Sequence, residues 1–293
     1  MSDRLQQGLD LLPALTSVRA PLTSEVIAVN EFGESVTISI PAERALTVYV
    51  DKRELVTLMT LGAQPELLVL GYLRNQRLIA SAQEIESITV DWDVGAAAVK
   101  TRSGIADIEA KTAKRVVTTG CGQGSVFGDM MGEIDSIRLP EATLTQTQLY
   151  GIVNAIRLKE STYKSAGSVH ACALFEGDAL LMFVEDVGRH NAIDTIAGWM
   201  SMQDAMQGRL QQDTAGADKI FYTTGRLTSE MVIKSAQMGV PIVVSRSGIT
   251  QMGQAVAARL GLCAIGRATN KRFLVYSGTQ RLILQSDSAP EKL

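Results

Sequence analysis

One cysteine, Cys121, stands among Gly120, Gly122, Gly124 and Gly128, just past an apolar run that ends in Thr118-Thr119. Glycines at this density let the backbone turn where side chains would clash, and they leave little bulk around a sulfur. A thiol so placed can be reached by a reactant, and basic neighbours would hold it as the nucleophilic thiolate. From spacing alone, a glycine-rich connection that merely contains a cysteine is an equal reading. The other two cysteines read differently. Cys172 in Val169-His170-Ala171-Cys172-Ala173-Leu174 and Cys263 in Leu262-Cys263-Ala264-Ile265 lie in apolar sequence, which predicts buried structural thiols.

Polar residues of the ligand-binding kind concentrate in the second half. The densest cluster is Glu185-Asp186-Val187-Gly188-Arg189-His190-Asn191-Ala192-Ile193-Asp194, which follows the apolar run Leu180–Val184. A second, Thr223-Thr224-Gly225-Arg226-Leu227-Thr228, offers a turn glycine, a helix-capping threonine and an arginine suited to a phosphate. The third is Ser245-Arg246-Ser247-Gly248, and the fourth is the basic loop Ile265-Gly266-Arg267-Ala268-Thr269-Asn270-Lys271-Arg272. A lone arginine after a strand is more often a solvated loop residue. Four such loops along one predicted sheet edge suit a polyanionic or nucleotide-like ligand, held by arginines and helix N-termini. None matches a P-loop or the G-x-G-x-x-G fingerprint. His170-Ala171-Cys172 has the histidine of a deaminase H-x-E motif, but Cys172 replaces the glutamate and no P-C-x-x-C follows, so no zinc site is predicted. His190, in its polar loop, is a better functional candidate than His170, with a hydrogen-bonded structural role an equal reading.

Of the 293 residues 46% are hydrophobic, enough for a sizeable core and more than one domain. With 28 basic and 31 acidic residues the net charge is -3, which excludes bulk electrostatic capture of nucleic acid or membrane and makes any anion site local. Three widely spaced cysteines argue against a disulfide framework and for a reducing compartment. Acidic residues interrupt the N-terminus where a signal peptide needs an apolar core, and no run of about 18 apolar residues occurs. The expectation is a soluble, cytoplasmic protein.

The elements that must position these groups follow from periodicity. Residues 1–22 read as a weakly ordered lead-in. Period-2 segments at 25–30, 35–40, 45–50, 85–92 and 96–101, with a proline-started helix from Gln64-Pro65, predict a mostly antiparallel α+β domain over 23–125 that ends in the cysteine loop. Beyond Leu139-Pro140 a helix is predicted over about 143–159. Strands at 179–185, 219–223, 241–245, 262–265 and 272–276 then alternate with helices at 189–206, 228–239 and 250–260. That alternation predicts an α/β domain over 140–285 with a largely parallel sheet and helices on its faces. Residues 203–217 read as a polar insertion.

Taken together these stretches resemble the formate dehydrogenase accessory sulfurtransferase family, FdhD, from about residue 44 to 284. The resemblance is carried by Glu185–Asp194, Ser168–Leu174, Thr224-Gly225-Arg226, the closing basic loop with Val275-Tyr276, and Glu54–Met59 with Glu66–Gly71. It implies a cytidine-deaminase-like three-layer α/β/α domain without the deaminase zinc. It also implies a homodimer that takes sulfur from a cysteine desulfurase and passes it to the molybdenum bis(molybdopterin guanine dinucleotide) cofactor, for formate dehydrogenase. Of the family's C-x-x-C only the first position is present, as Cys121, the implied persulfide site; Gly124 stands at the second. The family's cofactor-binding segment aligns with Ile265, Gly266, Arg267, Ala268, Thr269 and Asn270, with Ile265 in place of the usual aromatic. Arg189, His190, Arg226, Arg246 and Arg272 complete the expected cofactor contacts. A cofactor-holding chaperone without sulfur chemistry of its own is the alternative, and a zinc hydrolase carries the least weight.

Overall fold

The computed structural model describes residues 11–109, 134–159, 161–207, 216 and 218–285. Cys121 and its glycine loop, and most of the polar insertion, lie outside the described residues.

The first unit contains β1 (Ala14–Leu15), β2 (Thr23–Val29), β3 (Ser35–Pro41), β4 (Arg44–Val50), β5 (Arg53–Thr60), α1 (Pro65–Asn75), β6 (Ile85–Asp91) and β7 (Ala96–Thr101). Its five-stranded sheet runs β1-β6-β7-β4-β5. The β4–β5 and β6–β7 pairings are antiparallel as expected, but β4 and β7 join in parallel at the centre. β5 does not emerge from the period-2 reading. It is paired to β4 through the two-residue turn Asp51-Lys52, whose φ values of 47° and 72° give the twist of a type I′ hairpin. Within the expected lead-in, Ala14 and Leu15 pair in parallel with β6. The Thr16 hydroxyl and the Val18 N–H both donate to Glu66 Oε1, at 2.6 and 2.9 Å, so this stretch is tied to the start of α1. β2 and β3 form a separate two-stranded ribbon on which Ile27, Val29 and Phe32 are 70–79% exposed.

The second unit contains β8 (Leu144–Thr145), α2 (Gln146–Leu158), α3 (Thr162–Ala166), β9 (His170–Glu176), β10 (Ala179–Asp186), α4 (Arg189–Met206), β11 (Lys219–Thr223), α5 (Ser229–Gln237), β12 (Ile242–Ser245), α6 (Gln251–Leu260), β13 (Cys263–Thr269), β14 (Arg272–Ser277) and β15 (Leu282–Ile283). Helix starts follow their caps: Thr145 forms a capping box with Gln148, and Thr228 and Thr250 cap α5 and α6. The six-stranded sheet runs β10-β9-β11-β12-β13-β14. The expected largely parallel sheet is mixed. β10, β11, β12 and β13 point one way, but β9 is inserted antiparallel between β10 and β11, and β14 closes the edge antiparallel. Ala171 to Phe175 are buried on both faces, so β9 has no polar alternation to announce it. One core lies between the sheet and α4, α5 and α6; a second lies between the sheet and α2. This is the expected three-layer α/β/α arrangement.

The two units meet helix to helix. α1 is buried around almost its whole circumference, between the first sheet and α4. A Cβ on Gly71 would fall 1.6 Å from the Asp194 carbonyl oxygen, and one on Gly198 would fall 2.0 Å from the Leu67 carbonyl oxygen. The helices approach this closely because both glycines lack that atom. Gly71→Ala and Gly198→Ala should each lower stability by about 3 kcal/mol or more in urea denaturation, because neither backbone can yield. Gly248→Ala, where a Cβ meets nothing within 4 Å, should change it by no more than about 0.5 kcal/mol.

Candidate functional site

Because β10 to β13 share a direction, their carboxyl ends and the amino end of β9 form one polar edge. Backbone bonds stitch the loops there together. Thr224 N–H donates to the Ala171 carbonyl, and Ala171 N–H donates to Thr224 Oγ1, both at 2.9 Å. Arg246 N–H donates to the Thr223 carbonyl at 3.0 Å, Ser245 Oγ donates to the Gly225 carbonyl at 2.7 Å, and Arg267 N–H donates to the Ser247 carbonyl at 2.6 Å. Arg267 and Asn270 take φ of 52°, and the β13–β14 register shifts between Gly266 and Thr269, so this segment leaves the sheet as a bulge.

A cavity of about 670 Å³ opens at this edge on the α2 side, within the range of a nucleotide-sized ligand. Val153, Ile156, Phe183 and Tyr222 give it apolar and aromatic wall. Arg157, Lys159, Lys164 and Arg246 supply four cations. The one carboxylate in the lining, Glu185, accepts the Thr162 and Tyr163 N–H groups at 2.6 and 3.1 Å and so caps α3. The field in the cavity is therefore positive, as an anionic ligand requires. Burial pushes the Tyr222 phenol up to about 12 against the pull of Arg246, which keeps it a hydrogen-bond donor. Burial, with Arg189 and Arg226 nearby, lowers the His170 imidazole, which is neutral at pH 7.

Of the residues expected to hold a cofactor, Arg246, Ala268, Thr269 and Asn270 line this cavity. Ile265 is fully buried in the core beneath it and offers no stacking face. Gly266 lies against the Tyr276 ring and the Ser247 carbonyl, where a Cβ would come within 3.0 Å of both. Arg226, Arg267 and Arg272 are exposed at the same edge but outside the cavity lining. Arg189 and His190 are 7% and 5% exposed at the start of α4, on the other face of the sheet. Arg189 packs its Cδ against Gly225, and His190 Nε2 lies 3.2 Å from Glu230. Past Glu185, which lines the cavity, the dense 185–194 cluster that composition marks as ligand-like is turned inward. Asp186 accepts from Thr60, Leu61, Gly188 and Asn191, and Asn191 Nδ2 also donates to the Met59 carbonyl. Asp194 accepts from Asn75 at 2.7 Å and from Lys234 at 2.9 Å, fully buried. Burial alone would discharge Lys234, but Asp194 and Glu230 outweigh it and hold the ammonium charged.

Arg157, Lys159 and Lys164 are absent from the sequence-based site. Their spacing around the end of α2 was visible as a basic run, but only the packing of α2 on this face brings them to the strand edge. Cys172 and Cys263 are buried, and burial drives both thiols up to about 12, as their apolar context predicts. Among the described residues no three His, Cys, Asp or Glu side chains converge as metal ligands, and no helix is long and apolar enough to cross a membrane.

Residues 41–283 match the model of the FdhD/NarQ family. Relatives named "Sulfur carrier protein FdhD" from Staphylococcus aureus strains MRSA252 and JH9 are each 28% identical over 242 residues, spanning 82% of this chain and 88% of the relative. A crystal structure of a putative formate dehydrogenase accessory protein from Desulfotalea psychrophila superposes with a TM-score of 0.70 at 24% identity, covering 90% of this chain and all of that one.

His190 yields a pH test. Burial first, then Lys234, Arg189 and His170, push its imidazole down to about 2 from 6.5, so below pH 6.5 the unfolded chain takes up a proton that the native protein refuses. Stability contributed at this site therefore falls as pH drops from 6.5 toward 2. Between pH 7 and 5 the wild type should lose about 1–2 kcal/mol relative to His190→Gln in parallel denaturation curves.

Proposed function

The chain belongs to the FdhD/NarQ family, and on that premise we propose that it is a cytoplasmic sulfur carrier that serves formate dehydrogenase. The observation that carries this reading is the basic cavity at the strand edge. Arg246, Lys164, Arg157 and Lys159, with Thr224 and Ser247, are a donor set for phosphates, while Tyr222, Phe183 and Ile156 offer wall for a planar ring. A guanine dinucleotide arm of the molybdenum cofactor, as substrate, matches that set in charge and size. Guanine contact falls to these walls rather than to Ile265.

In this proposal sulfur arrives on Cys121. Its thiolate attacks the outer sulfur of a cysteine desulfurase persulfide; the new S–S bond leaves the persulfide on Cys121, and the donor cysteine departs as thiolate. Cys172 and Cys263 take no part, since their thiolate fraction at neutral pH is reduced about a thousandfold from that of a thiol at 9.0. Sulfur then passes to the cofactor, and an external thiol supplies the electrons because Gly124 replaces a resolving cysteine. Two copies of the chain assemble, and the exposed Ile27, Val29 and Phe32 of the β2–β3 ribbon supply apolar surface for contact. The feature that favours a cofactor chaperone instead is the missing second cysteine, with Gly124 where the family's C-x-x-C has its second thiol.

After incubation with a cysteine desulfurase and cysteine, peptide mass spectrometry should find one added sulfur on the Cys121 peptide and none on those of Cys172 and Cys263. Added sulfur that persists on Cys121→Ala protein refutes the assignment, and full formate dehydrogenase activity in cells carrying only Cys121→Ser selects the chaperone. In calorimetry GDP should bind the wild type, and Arg246→Gln combined with Lys164→Gln should weaken it on the order of tenfold or more. Absence of GDP binding to the wild type counts against both readings.

A further inference from the structure

None of the residues of the β2–β3 ribbon joins the hydrophobic cores, yet the ribbon is ordered and placed. Asn30 Oδ1 accepts the Phe32 and Glu34 N–H groups at 3.0 and 2.9 Å, which locks the turn. β2 and all but the last residue of β3 precede the family-matched residues 41–283, so the match does not account for the ribbon. Strand pairing sets its faces. Val26 opposes Ile38 and Ala28 opposes Val36 on one; Ile27 opposes Thr37 and Val29 opposes Ser35 on the other. Val26, Ala28 and Val36 are half-buried whereas Ile27 and Val29 are open to solvent, so the first face is turned to the body of the protein. There β3 runs alongside α3, an element of the second unit.

α3 needs such a neighbour. It has five residues, none of them buried. A helix so short does not hold itself in water, and a lone two-stranded ribbon fares little better. Glu185 ties down its first turn through the Thr162 and Tyr163 N–H groups, and Lys164 Nζ donates to the Leu158 carbonyl at 3.4 Å. Tyr163 and Lys164 line the basic cavity from this helix. We propose that the ribbon is a brace for that cavity: β3 fixes α3, and α3 presents Lys164 to an anionic ligand. Lys164 touches the ligand, while Val26, Ala28 and Val36 act through it as positioning residues. The consequence for GDP rests on the ligand reading given above; the consequence for the order of α3 does not.

Ala42 N–H donates to the Leu22 carbonyl at 2.9 Å, so a short glycine linker can replace residues 23–41 without moving either end. In hydrogen exchange, the Thr162 and Tyr163 amides of the ribbonless protein should exchange on the order of tenfold faster or more, with those of α6 unchanged. In calorimetry it should bind GDP about tenfold more weakly than the wild type, the scale of one lost hydrogen bond to a charged group. Lys164→Gln should weaken the wild type by a similar factor and the ribbonless protein hardly at all, because the brace acts through that side chain. Arg246→Gln, on the β12 loop, should weaken both alike. Val26→Ser combined with Val36→Ser keeps the outward Ile27 and Val29, so it separates bracing from contact between copies and replaces the excision if that does not fold. It should reproduce both effects in smaller measure. Unchanged amide exchange in folded ribbonless protein, equal Lys164→Gln losses with and without the ribbon, or wild-type behaviour of the double serine variant would overturn the brace. A wild type that binds no GDP overturns the ligand reading instead, and amide exchange still decides the brace.

Discussion

The contact on which the rest of this structure depends is the crossing of α1 over α4. Gly71 and Gly198 bring two helix backbones together at a distance that no side chain permits. Beside the crossing, Asn75, Asp194 and Lys234 form a fully buried hydrogen-bonded chain that reaches from the first unit into α5. Such a chain contributes position more than stability, because removing any one member leaves a charge or an amide stranded in apolar surroundings. Asp186 and Asn191 make the same kind of link to the end of β5.

That weld fixes where chemistry can occur. With α4, α5 and α6 on one face, the loops after β11, β12 and β13 are held in a staircase of backbone bonds, and the other face is left to α2 and its basic end. The cavity arises where these meet. Its positive field comes from cations on separate elements, Arg246 from the β12 loop and Arg157 from α2, so tertiary packing rather than any contiguous motif creates it.

Much of this was legible from residue order. The helix over 189–206, the strand over 219–223, the capping threonines and the inert surroundings of Cys172 and Cys263 all follow from periodicity and local composition. β9 was not, because a short strand buried on both faces shows no alternation and cannot be told from buried helix or coil by pattern. Nor did the polarity of residues 185–194 reveal its direction. A stretch that binds a ligand and one that fuses two units need the same dense set of donors and acceptors, and only the fold shows that Arg189 and His190 look inward. Arg157, Lys159 and Lys164 were legible as charges but not as a site.

The near-complete burial of α1 has a consequence for how the protein is made. Synthesis delivers α1 more than a hundred residues before α4, and until then a helix that ends up buried on nearly every side has only one sheet to shelter against. The first unit therefore reaches its final form after the ribosome has passed Met206. Vectorial folding of this chain is held back by its own second half, and truncated fragments should turn to chaperones or to each other.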